Sequence, residues 1–129
     1  MPLIRIDLLE GRSDLEIKTL MDTIQDCVLQ AFKVPAKDRY QIVTEHKPGR
    51  MILLDTGLGF DRSDQAIVIQ VFTSPRTTVN KTKFYKLLAE NLEAQCGLDP
   101  KDLLISVMTN ADVDWSFAFG ETQYLTGQL

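Results

Sequence analysis

The chain has 129 residues, 44% hydrophobic and 25% charged, the proportions of a globular protein with one sizeable core rather than of a disordered or membrane-embedded chain. A net charge of −4 and a pI near 4.9 argue against nucleic acid as a partner, because phosphate binding needs a basic stripe. The expectation is a single cytoplasmic domain over residues 1–129, with no membrane partner.

Leu3 to Leu9 reads as a strand with Ile4, Ile6 and Leu8 on one face; Arg5 and Asp7 interrupt it too early for a signal-peptide core or a membrane span. After a turn at Glu10-Gly11-Arg12, Ser13 and Glu16 form a capping box, and Ile17, Leu20, Met21, Ile24, Val28 and Ala31 make one helical stripe running to about Lys33. Pro35 marks a loop, Tyr40 to Thr44 a second strand, and His46-Lys47-Pro48-Gly49 a turn that leaves His46 in solvent. Met51 to Leu54 is a candidate short strand. Beyond the loop around Gly57 and Gly59, Ala66 to Thr73 is a nearly continuous apolar strand, followed by Ser74-Pro75-Arg76 and a helix from about Val79 to Cys96 that Gly97 can close. Leu103 to Met108 is the last strand, and the tail 110–129 carries Trp115, Phe117, Phe119 and Tyr124. Lys81, Lys83 and Lys86 read as the wet face of the second helix. Cys27 and Cys96 have no metal or redox spacing and read as buried apolar residues.

The two halves repeat. A shift of 64 residues lays Arg12 on Arg76, Lys37 on Lys101 and Asp38 on Asp102 without a gap, and brings Ile4, Leu8, Leu20, Ile24, Val28 and Val34 onto Val68, Phe72, Phe84, Leu88, Leu92 and Leu98. The unit is strand-helix-strand, used twice, over about 2–45 and 66–109. The fold class expected is α+β: two pseudo-repeated β-α-β units in a four-stranded mixed sheet with two helices on one face. Two helices cover only one face, and the strand from Ile67 to Phe72 is apolar on both, so the other face calls for self-association.

A β-α-β crossover returns the chain to the same end of the sheet, which puts Asp38 near Pro2. If the first strands of the two units pair antiparallel, Arg76 joins them. Removal of Met1 would make Pro2 a free secondary amine able to hold or release a proton near neutral pH. Pro2, Asp38 and Arg76 then form a coherent set: a proton-exchanging amine, a carboxylate that tunes it, and a guanidinium that grips a substrate carboxylate. This points to a small oxo acid as substrate, and to no cofactor. A cationic Pro2 favours decarboxylation, and a neutral one favours keto–enol tautomerisation. The symmetric location holds Ala66, Asp102 and Arg12, and an internal alanine has no titratable nitrogen, so the duplicate is expected to be inert. By themselves, two β-α-β units also describe a noncatalytic ferredoxin-like binding module.

The opening Pro2-Leu-Ile-Arg-Ile-Asp-Leu-Leu-Glu-Gly-Arg-Ser-Asp resembles that of 4-oxalocrotonate tautomerase and its relatives, the tautomerase superfamily. Val34-Pro-Ala-Lys-Asp-Arg-Tyr-Gln, Asp55-Thr-Gly-Leu-Gly, Phe84-Tyr-Lys-Leu-Leu and Asp114-Trp-Ser-Phe with Tyr-Leu-Thr-Gly are similar to the malonate semialdehyde decarboxylases of that superfamily, over essentially the whole chain. The resemblance implies that Pro2 is catalytic, that Asp38 assists it, and that Arg76 binds the substrate carboxylate. It also implies that Trp115, Phe117, Tyr124 and Leu129 wall the pocket, and that the assembly is a homotrimer. One position departs: those decarboxylases carry Arg-Pro-Arg where this chain reads Ser74-Pro75-Arg76, so one of two carboxylate-binding arginines is absent, with Arg39, Lys37 and Arg5 as candidates to compensate that nothing in the sequence places in the pocket.

Overall fold

The computed structural model describes residues 1–129. Strand β1 (Leu3–Leu9) buries alternate residues Ile4, Ile6 and Leu8, as its pattern demands. Helix α1 (Asp14–Phe32) begins at the full Ser13/Glu16 capping box, with the Ser13 hydroxyl accepting from the Glu16 N–H at 3.2 Å and the Glu16 carboxylate accepting from the Ser13 N–H at 3.0 Å. Strand β2 (Tyr40–His46) follows, then β3 (Ile67–Thr73), α2 (Thr78–Cys96), β4 (Leu103–Thr109) and a single turn α3 (Gln123–Thr126). Lys33 and Gly97, the residues that end α1 and α2, occupy equivalent positions in the repeat and share the left-handed conformation, with φ of 55° and 67°.

The sheet order is β2-β1-β3-β4: β1 lies parallel to β2, β3 parallel to β4, and β1 antiparallel to β3 at the centre. Each strand therefore lies beside its own crossover partner, which rules out the split arrangement of the ferredoxin-like alternative. Register fixes the pseudo-twofold. The 64-residue shift carries Arg5 to Ile69 and Ile6 to Gln70, and the neighbouring pairs Arg5↔Gln70 and Ile6↔Ile69 exchange under it, so the dyad passes between them. Both long helices pack on one face, where Ile4, Ile6, Leu8, Ile67, Ile69 and Val71 meet Leu20, Ile24, Val28, Phe84, Leu88 and Leu92 in one buried cluster. The opposite face carries Tyr40, Ile42, Val68, Phe72, Leu104 and Met108, none of them buried. No helix is long and apolar enough to cross a membrane.

Two sequence expectations are corrected. Met51 to Leu54 forms no strand, because it pairs with neither edge strand of the sheet; the Leu54 carbonyl instead accepts from Arg62 Nε at 2.8 Å. His46 is not a solvated turn residue: β2 extends through it, and its Nε2 lies 2.7 Å from Asp7 Oδ1 with both side chains less than one-third exposed. Asp55, in one of the motifs, ties its own loop by accepting from the N–H groups of Gly57 and Gly59 at 3.1 and 2.7 Å.

Candidate active site

The strand pairings decide what meets at the start of the chain. Leu3 lies opposite Tyr40 on one side and Phe72 on the other. Pro2 therefore neighbours the residues that lead into β2, Asp38 among them, and those that leave β3, Thr73 to Arg76. Pro2 is buried, next to a partly buried Met1. Asp38 is buried as well, at 6% exposure, after a turn in which its N–H donates to the Pro35 carbonyl at 2.9 Å.

The electrostatics bind this corner together. Burial and then the Arg76 guanidinium hold the Met1 α-amine below its ordinary value, while Asp38 and Asp112 push it the other way. Burial raises the Asp38 carboxyl against the opposing pull of that amine and of Arg76. Arg76 is fixed from behind: its Nε–H donates to the Thr73 hydroxyl at 3.1 Å, its Nη1 donates to the Phe32 carbonyl at 3.3 Å, and its carbon Cζ sits 5.1 Å from the centre of the Phe32 ring. Nη2 has no protein partner, so the outer edge of the guanidinium is left for an anion.

The tail folds across this corner. The Asn110 N–H donates to the Thr73 carbonyl at 2.9 Å, and the Asn110 side chain accepts from Trp115 Nε1 at 2.8 Å. Trp115 stacks on Phe117 at 5.4 Å between ring centres, Phe117 stacks on Tyr40 at 5.9 Å, and Tyr124 meets Phe117 edge-on at 5.4 Å. Buried Gln123 holds the turn, accepting from the Phe117 N–H at 3.0 Å and donating to the Ala118 carbonyl at 2.9 Å. Burial, then Asp38 and Asp112, raise the Tyr124 phenol; Arg76 and the Ser74 side chain, also close to it, pull it down.

Pro2, Asp38, Arg76, Trp115, Phe117 and Tyr124 thus belong to one neighbourhood. Leu129, at the chain end, is 62% exposed, its N–H reaching the Gln123 carbonyl at 3.4 Å. Of the substitutes for the absent arginine, Lys37 is exposed, Arg39 is committed to Asp22 at 2.8 Å and Gln41 at 2.9 Å, and Arg5 points from the sheet face opposite the helices. Residues the sequence did not single out are Asp112, Tyr40 and Gln123. Tyr40 was readable in principle, since the first residue of β2 must flank Pro2; Asp112 and Gln123 depend on how an irregular tail folds.

The symmetric corner is closed by its own hydrogen bonds. Asp102, 2% exposed, accepts from the N–H and the hydroxyl of Ser63 at 2.7 and 2.6 Å, and Arg12 Nη2 donates to the Gln65 carbonyl at 2.7 Å. A cavity of about 260 Å³ opens beside Arg12, between the start of α1 and the end of α2, with Glu16, Gln95 and Cys96 in its wall. Cys96 is therefore only partly buried, a correction to its reading as a core residue, whereas Cys27 is fully buried. No group of three or more His, Cys, Asp or Glu side chains gathers as metal ligands would.

Two family models described as "Tautomerase enzyme" match this chain, one over residues 38–118 and one over residues 2–61. The chain belongs to the tautomerase superfamily and is an enzyme of its isomerase or lyase type. A Bacillus subtilis (strain 168) protein named "Probable tautomerase YrdN" is 50% identical over 129 residues, covering 100% of both chains. A solved malonate semialdehyde decarboxylase superposes with a TM-score of 0.95 at 46% identity, over 98% of each chain. A fused 4-OT symmetric trimer superposes with a TM-score of 0.79 at 19% identity, over 97% of this chain and 98% of that one, a likeness of fold.

Proposed function

We propose that this protein is a cofactor-independent decarboxylase of a small 3-oxo acid, with malonate semialdehyde as the model substrate and Pro2, freed by removal of Met1, as its proton-exchanging amine. The observation that carries the reading is the convergence of a buried carboxylate, Asp38, and the Arg76 guanidinium on the amino-terminal corner of the chain. Once Met1 is gone, that carboxylate is placed to favour the protonated form of Pro2. The likeness to malonate semialdehyde decarboxylase at 46% identity supports the same choice.

In the proposed reaction, the outer edge of Arg76 holds the substrate carboxylate and the protonated Pro2 hydrogen-bonds the C3 carbonyl oxygen. The C1–C2 bond breaks, its electron pair moves into the carbonyl as the enol forms, and carbon dioxide leaves. Pro2 has by then passed its proton to the oxygen; the enol takes a proton from water at C2 and returns its hydroxyl proton to the Pro2 amine, giving the aldehyde. Asp38 keeps the amine protonated, and the stack of Trp115, Phe117 and Tyr124 excludes water so that the charges act in a low dielectric. Leu129 joins that wall when a neighbouring chain or the bound substrate orders the end of the tail.

One observation favours a second reading, tautomerisation of an enolisable 2-oxo acid such as phenylpyruvate: burial and Arg76 together depress the terminal amine despite Asp38, and a neutral amine is a base. Incubation with malonate semialdehyde and, separately, with the enol of phenylpyruvate separates them. Acetaldehyde with carbon dioxide supports the first, and ketonisation alone supports the second. A cytoplasmic homotrimer completes the proposal; its support is the uncovered sheet face bearing Tyr40, Ile42, Val68 and Phe72 and the trimeric assembly of the fused 4-OT structure.

A further inference from the structure

The loop that leaves β3 supplies one cation, Arg76, and two residues earlier a serine. Ser74 and Arg76 are both half-buried, and so is Tyr124. The Asn110 N–H bond to the Thr73 carbonyl pins the tail against the residue that precedes Ser74, and the edge-on contact with Phe117 fixes the Tyr124 ring. The Tyr124 phenol lies close to the Ser74 side chain and within the influence of Arg76, Asp38 and Asp112, so the two hydroxyls share the corner of Arg76. We propose, resting on the decarboxylase reading above, that Ser74 and Tyr124 are specificity-determining residues: their hydroxyls form a neutral second half of the carboxylate grip and restrict the site to monocarboxylates.

Charge argues for the restriction. Arg76 is the one cationic side chain at the corner, and Asp38 and Asp112 both act on the terminal amine there. A monocarboxylate satisfies Arg76 and accepts hydrogen bonds from the hydroxyls. A dicarboxylate brings a second negative charge whose nearest cation, the protonated Pro2, is already matched by Asp38, and two carboxylates repel it. The Tyr124 phenol is raised by burial and by those carboxylates, so it stays protonated and remains a donor across the neutral range.

The only tryptophan, Trp115, reports on the site through its fluorescence. With protein lacking Met1, 3-hydroxypropanoate serves as a monoanion that cannot decarboxylate, and malonate as the dianion of equal length. Wild type is expected to bind 3-hydroxypropanoate more tightly than malonate. Tyr124→Phe and Ser74→Ala should each raise the Kd for 3-hydroxypropanoate about three- to tenfold, the weight of one neutral hydrogen bond. Ser74→Arg should invert the preference towards malonate. If both hydroxyl variants bind as wild type while Arg76→Ala loses binding, the hydroxyl grip is wrong and the decarboxylase reading stands. If Arg76→Ala also binds as wild type, the carboxylate grip beneath both readings is overturned.

Discussion

Asp38→Asn separates a carboxylate that tunes the catalytic amine from one that merely lies near it. The substitution keeps the shape of a side chain that is 6% exposed and removes its charge. At the Met1 amine, Asp38 opposes the lowering by burial and Arg76 more strongly than Asp112 does, and it should act on the Pro2 amine in the same direction. A neighbouring opposite charge typically shifts a pKa by about one to three units, each unit being about 1.4 kcal/mol. In the proposed mechanism the protonated amine is the active form, so activity falls as pH rises through its pKa. Removing Asp38 lowers that pKa. The alkaline limb of the kcat/KM profile should therefore move down by about one to three pH units, and the rate at a pH above the new value should drop about tenfold per unit. Burial raises the Asp38 carboxyl, but protonating it leaves the amine in its active, protonated form, so this pair should produce no acid limb in either protein. Steady-state kinetics with malonate semialdehyde from pH 5 to 10, with circular dichroism to verify folding, make the measurement. An unmoved alkaline limb in Asp38→Asn would refute the tuning role.

Three further outcomes follow from the geometry. Arg76→Lys keeps the charge but loses the planar fork and the stacking on Phe32; KM for malonate semialdehyde should rise about ten- to a hundredfold with a smaller change in kcat. Asp102→Ala strands the N–H and hydroxyl of Ser63 and should lower stability by about 2–5 kcal/mol in urea unfolding while kcat/KM stays within about twofold, because the symmetric corner performs no chemistry. Lys33→Gly relieves a left-handed residue, φ 55°, where its repeat partner is already glycine, and should raise stability by about 0.5–1 kcal/mol by the same assay.

Much of the fold was legible because its signals are local or repeated. The capping box at Ser13 is written in two residues, and the alternation of Ile4, Ile6 and Leu8 gives both strand and buried face. The 64-residue shift added what local patterns cannot: if its two units pair β1 antiparallel with β3, as the structure shows, Pro2, Asp38 and Arg76 come to one corner. Where the reading failed, the deciding partner lay elsewhere in the chain. Met51 to Leu54 has strand-like residues, but a strand exists only where the chain is brought alongside an edge, and this segment pairs with neither β2 nor β4. His46 looked solvated because its partner, Asp7, sits 39 residues away on another strand. Asp112 was invisible because nothing periodic governs residues 110–122, whose course is set by single hydrogen bonds such as those of Asn110 and Gln123.

The central claim is that an unblocked Pro2 nitrogen does the chemistry. Its most direct test compares two preparations distinguished by intact mass: protein from which Met1 has been removed, and protein that retains it, each assayed for acetaldehyde and carbon dioxide from malonate semialdehyde. The account predicts turnover in the processed preparation alone, abolished there by Pro2→Ala. Equal turnover in the two preparations would contradict it.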